Sequence, residues 1–159
     1  MNDVFALALA IGVVAGLRSM IAPALVTWAA HLGWINLQGT TVAWMSSTGA
    51  VAIFSLMALG ELLGDKLPFA PKRTQPLPLS ARIVLGGFCG LCLSAAMHRS
   101  LFPATIVGAI GGFAGAFAGY RLRRWLVRNL HTRDRVIAVA EDLIALGIAI
   151  LIVSSGFGG

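Results

Sequence analysis

LMALGELLGDKLPFAPKR, Leu56 to Arg73, is the stretch whose reading decides what kind of chain this is. An apolar helix runs into Glu61, reaches Asp65 and Lys66 one turn later, and stops at Pro68. Glu61 and Asp65 are four residues apart, so both carboxylates project from one helix face. Carboxylates ending an apolar run of this length need a cation, a proton or an ion as partner. The rest of the sequence offers candidates.

Composition sets the class around that stretch. Of 159 residues, 58% are hydrophobic and 11% charged, with a mean hydropathy of +0.87. Soluble domains carry about 25% charged residues, so this chain cannot clothe a water-facing surface. The reading is an all-α protein: a polytopic transmembrane bundle of about five spans in one integral membrane domain, residues 1–159. Net charge is +6. The basic residues cluster between apolar runs, where the positive-inside rule and anionic lipid account for them. No basic face with interleaved aromatics exists, which excludes nucleic acid as the partner. The first apolar run lacks a basic leader and a cleavage site, and is expected to stay in the mature protein.

Working outward, segment one is Val4 to Ala30, holding the pair Gly12 and Gly16, then Arg18 and Pro23. Arg18 lies about 21 Å along an ideal helix from Val4, deep for a cation. Helix breakage between Gly16 and Pro23 gives two readings, a kinked span or a re-entrant pair of half-helices. Trp28, Trp34 and Trp44 flank a link without formal charge, as at a non-cytoplasmic membrane border. Segment two is Val42 to Gly64. The link Asp65 to Ser80, with four prolines, is expected to be extended. Segment three, Ala81 to Met97, carries Cys89 and Cys92. Segment four, Ala104 to Tyr120, aligns Gly111, Gly115 and Gly119 as a glycine zipper suited to close helix packing and to a homo-oligomer. Arg121, Arg123, Arg124, Arg128, Arg133 and Arg135 are read as a basic connection to segment five, Val136 to Val153, which opens near Glu141 and Asp142. Five spans with both basic links inside imply a cytoplasmic N-terminus. A re-entrant first segment reverses that first leg and keeps both links inside.

GVVAGLR at 12–18 is similar to GAFAGYR at 115–121, and ALGELL at 58–63 to AVAEDL at 138–143. This pattern suggests an inverted repeat with halves 1–80 and 81–159, an architecture that puts the working site at the repeat interface in transporters. Gly/Ala-rich helices also resemble one another by composition alone.

Arg18, Glu61, Asp65, Glu141 and Asp142 form the leading constellation. In one reading they make a substrate- or ion-binding network, with Arg18 as anion site or counter-ion and Glu61 or Glu141 as proton carrier. In the other, Arg18 and Glu61 are a static clasp. Arg121 and its neighbours are first a lipid-headgroup anchor and second a ligand site. Cys89-Gly90-Leu91-Cys92 is a CxxC like that of membrane thiol oxidoreductases. It sits mid-segment with no second cysteine pair, which favours packing. His31, His98 and His131 lack metal-ligand spacing, and no cofactor or metal is expected.

The motifs GLRSM-x-x-P at Gly16 to Pro23, E-x-x-x-DKLP-x-x-P-x-R at Glu61 to Arg73, GxxxGxxxGYRxR ending at Arg123, and A-x-x-ED at Ala138 to Asp142 resemble those of a family of small bacterial membrane proteins, domain of unknown function 4126. The resemblance implies a multi-span protein of the bacterial inner membrane and lends no activity. The functional expectation therefore rests on the charges: a small transporter or channel for a solute or ion. The competitors are a structural or partner-binding membrane protein with charges as clamps, and a CxxC thiol oxidoreductase.

Overall fold

The computed structural model describes residues 2–64, 75–130 and 142–152. These residues form helices α1 (Asn2–Leu17), α2 (Ile21–His31), α3 (Thr48–Gly64), α4 (Pro76–Ala96), α5 (Leu101–Leu130) and α6 (Asp142–Ile152), with one 3-10 turn at Ala43–Ser46. No strand occurs among the described residues. Two helices, Pro76–Ala96 and Leu101–Leu126 within α5, are long and apolar enough to cross a membrane. α1, α2, α3 and α6 are apolar but shorter, so the described residues supply two of the five span-length helices expected.

Segment one is two helices. Pro23 has no amide to give the carbonyl of Ser19, so a single helix running through this point would lose a hydrogen bond and kink. The last α1 hydrogen bond joins Arg18 N to the Val14 carbonyl at 2.8 Å, and the Met20 carbonyl then starts α2 by accepting from Ala24. Neighbouring contacts show that the chain turns back here. α2 opposes α3 in direction, because Met20 meets Glu61 at one end and Trp28 meets Ser55 at the other. α3 opposes α4, since Glu61 faces Arg82 while Trp44 stacks on both Phe54 and Phe88. α4 opposes α1, with Arg82 at Gly16 and Met97 at Val4 and Ala8. Three reversals leave α2 running against α1. Segment one is therefore a pair of antiparallel helices.

Glycine sets how α1, α4 and α5 meet. A methyl group added at Gly12 would strike the Gly108 carbonyl, one at Gly111 the Leu9 carbonyl, and one at Gly115 the Val13 carbonyl. One at Gly16 would lie 2.6 Å from the Ala116 nitrogen. Only residues without a Cβ permit that approach. On the other flank, Gly86 meets Gly108, Gly90 meets Ala104, and Gly112 meets Arg82. Contact numbers rise together between α1 and α5 and run opposite between α4 and α5. α1 and α5 are therefore parallel.

That parallel pairing corrects the inverted-repeat expectation, which requires segments one and four to cross in opposite senses. α5 also continues unbroken through Gly115 to Arg121, whereas α1 ends one residue before Arg18. Two further expectations change. Pro76 to Ser80 is the first turn of α4 rather than extended chain, because the first amides of a helix have no partner and proline loses nothing there. Arg121 to Arg128 is helical, an extension of α5. Segments 65–74 and 131–141, with Asp65, His131 and Glu141, lie outside the described residues.

The C-terminal ends of α2 and α4 close in the same way. After α2, Gly33 at φ 77° donates to the Ala30 carbonyl and Trp34 to the Ala29 carbonyl. After α4, His98 at φ 51° donates to Ala95 and Arg99 to Ser94. Each is a Schellman cap with the left-handed residue at the position glycine favours. Ile35 and Leu37 then fold under the bundle into the core beside Val26, Met45 and Leu93. Trp28, Trp34 and Trp44 stay about half exposed at this end.

Candidate functional site

The reversal Arg18-Ser19-Met20 leaves backbone groups of two helix ends unpaired inside the molecule, and charged side chains from other helices meet them. Glu61, near the end of α3, spans the turn. Its Oε1 accepts from the Ser19 amide at 3.0 Å and the Ser19 hydroxyl at 2.6 Å, and its Oε2 accepts from the Met20 amide at 2.8 Å. α2 has no cap from its own flanking residues. Glu61 supplies one from a distance of 41 residues in sequence, placing negative charge where the helix dipole favours it.

Two arginines complete the cluster, both almost fully buried: Arg18 is 1% exposed and Arg82 3%. Arg82 extends Nη1 to the Gly16 carbonyl at 3.4 Å and Nη2 to Glu61 Oε1 at 3.7 Å. It serves the C-terminal end of α1 and the carboxylate capping α2 together. Gly112 brings the α4 backbone close at that residue, which is how the guanidinium reaches the turn. Arg18 donates Nε to Asp142 Oδ1 at 2.5 Å, tying the turn to the first residue of α6. Buried charges persist where they are paired and hydrogen-bonded in this way.

Of the sequence candidates, Arg18, Glu61 and Asp142 come together. The partners differ from the expected clasp: the cation facing Glu61 is Arg82, and Arg18 holds Asp142. Arg121 is exposed on α5. Arg82 and Ser19 are the residues sequence reading missed. An arginine one turn inside an apolar helix that opens on two prolines was the available signal for Arg82. Gly12, Gly16, Gly111 and Gly115 pack helices within the chain. Gly119 is buried on α5. Cys89 and Cys92 are free thiols with no exposed surface, in the core beside Leu93. His31 bonds to the Ser46 carbonyl at 3.0 Å.

An apolar groove of about 410 Å³ adjoins the cluster between α2, α3 and α6. Ile21, Ala24, Leu25, Ala58, Leu59, Leu62 and Leu146 line it, with Asp142 and the Trp28–Ser55 hydrogen bond as its polar features.

The class is thus an all-helical protein with two helices fit to cross a membrane and a charged helix reversal at its centre. The model of the DUF4126 family, a domain of unknown function, matches residues 5–155, and the chain belongs to that family. Comparison with curated proteins and with solved structures gives no match.

Proposed function

We propose that this chain is a small membrane transporter or channel of the bacterial inner membrane, with the cluster Arg18, Glu61, Arg82 and Asp142 as its gate and coupling site. Membrane embedding is supported by surfaces beyond the two long helices. Leu56 is 68% exposed, and Ile53, Leu63, Val84, Phe102, Leu143 and Leu151 are exposed on other helix faces. A water-soluble monomer does not carry apolar residues on every side in this way. In hydrocarbon they meet lipid.

The observation that carries the reading is two buried arginines gathered at a helix reversal. Discontinuous helices with paired charges at their broken ends recur where transporters bind substrates and coupling ions. In the conformation described the cluster is closed. Opening requires Glu61 to leave the Ser19 and Met20 amides, and protonation or an arriving ion supplies the exchange. A complete pathway through so few helices would take a second copy. The glycine face of α5 is occupied by α1, so that copy would use the exposed faces of α3 or α6.

One observation favours a second reading, a static clamp: all of Glu61's donors are in place, on three hydrogen bonds and one ion pair. Reconstitution of Glu61→Gln into vesicles separates the two. Normal folding with loss of ion or proton flux supports the gate. Unchanged flux, or loss that merely follows unfolding, supports the clamp. A thiol enzyme receives least support, since an oxidant or substrate would have to reach two fully buried sulfurs.

A further inference from the structure

The groove beside the gate has a chemistry of its own. Its walls are apolar: Ile21 of α2, Ala58 and Leu62 of α3, and Leu146 of α6. Among the described residues Asp142 is the one charged residue lining it, with 15% of its side chain exposed, while Arg18 is shielded behind at 1%. Trp28 lies seven residues along α2 from Ile21, which is about 10 Å of helix. Its indole is 44% exposed. An entering molecule therefore meets a carboxylate at one end, an aromatic face at the other, and hydrocarbon between.

We infer that this groove binds lipophilic organic cations, with the positive centre at Asp142 and the apolar body along α2 toward Trp28. Charge complementarity selects the occupant. The Arg18–Asp142 pair turns its carboxylate end to the groove with the guanidinium behind, which favours a cation over an anion of the same shape, and the Trp28 ring adds cation–π attraction. A weakly hydrated organic cation loses little on leaving water, unlike a metal ion or a primary ammonium. Its arrival puts a further cation beside Asp142 and competes with the tie between Arg18 and α6. The guest would thus act on the gate directly. The inference names the substrate class for the transporter reading and rests on it there, but binding itself needs no transport.

The test uses the full chain in a mild uncharged detergent with tetraphenylphosphonium as probe, by equilibrium dialysis and by tryptophan fluorescence. Tetraphenylborate, equal in shape and opposite in charge, is the control. Saturable binding of the phosphonium and none of the borate is expected. Asp142→Asn should weaken phosphonium binding about tenfold or more. Because that change also weakens the tie between the buried Arg18 and α6 and can cost the fold, Ala58→Phe, which fills the groove and leaves every charge in place, should weaken it as well. Equal binding of phosphonium and borate would make the groove an acyl-chain crevice and overturn the inference. So would unchanged binding in a folded Ala58→Phe protein. Flux in vesicles that depends on Glu61, without phosphonium binding, sinks this inference and leaves the transporter reading standing. Phosphonium binding without flux does the reverse.

Discussion

Glu61 uses both carboxylate oxygens at the reversal between α1 and α2, and this ties one side chain to the fold. Its Oε2 accepts from the Met20 amide, while its Oε1 takes both Ser19 donors and faces Arg82. Glutamine keeps one oxygen and turns an N–H toward a donor. The change removes a charge-assisted hydrogen bond and takes a carboxylate away from the buried Arg82, a loss of about 3–5 kcal/mol when a buried pair is broken. Arg82→Gln should cost a similar amount by stranding Glu61. Thermal melts of the two single variants and the double in detergent check this. The double should recover part of the loss, with a coupling of about 1–3 kcal/mol between the sites. Strict additivity would show that the 3.7 Å approach of Arg82 contributes no pairing.

At the scale of the helix, glycines with the same letter in the sequence have opposite consequences. Gly112 presses on the Arg82 carbonyl, and Gly16 lies so close to α5 that a Cβ would sit 2.7 Å from the Gly115 Cα. Gly60 on α3 has nothing within 4 Å of a built Cβ. Gly112→Ala and Gly16→Ala should each cost about 1–3 kcal/mol or more by forcing backbones apart. Gly60→Ala should gain up to about 1 kcal/mol from helix propensity. Gly33→Ala has open space but a φ of 77°, and should cost about 1 kcal/mol through the cap alone. Ranking the four variants by melting temperature tests the assignment. The sequence shows why such a ranking needed a structure. Small-residue spacing on segment four identifies a packing face, but a helical period says nothing about what lies against it, and the partner is α1 of the same chain. The helix break was legible from Gly16, Arg18 and Pro23, as were the cluster members Arg18, Glu61 and Asp142. The sense of α2 was not, because a break reads the same whether the chain continues or doubles back. Arg82 escaped because segment three was read as starting at Ala81, which puts Arg82 at its very edge, whereas the helix starts at Pro76, in a first turn where proline and helix do not conflict.

For the whole molecule, the direction of α1 decides which ends share a side. α1 and α5 are parallel, so the start of α1 lies at the same end as Leu101 and the turn Met97–Ser100. Leu17, the Arg18 cluster and the basic turns of α5 lie at the other. A five-span path would instead put the N-terminus with the basic end. Arg121, Arg124 and Arg128 are exposed around Trp125, a mixture suited to a headgroup layer, and under the membrane placement proposed above the positive-inside rule would put that end in the cytoplasm. The half-exposed Trp28, Trp34 and Trp44 would then face the opposite border. In intact cells, then, an N-terminal reporter and a cysteine at Ser100 should both be reached from outside, and a cysteine at Arg128 from inside only. For the labelling, Cys89 and Cys92 are replaced by alanine so that only the new thiol reacts. Should the N-terminal reporter and Arg128 respond from the same side, α1 and α5 cannot be parallel neighbours in the membrane. The reversal at Arg18-Ser19-Met20 would then have to be a kink in one crossing helix. If instead all three positions respond as expected, the charged turn lies near the cytoplasmic face. Glu61, Arg82 and Asp142 would then meet solutes arriving from the cell interior before those from outside.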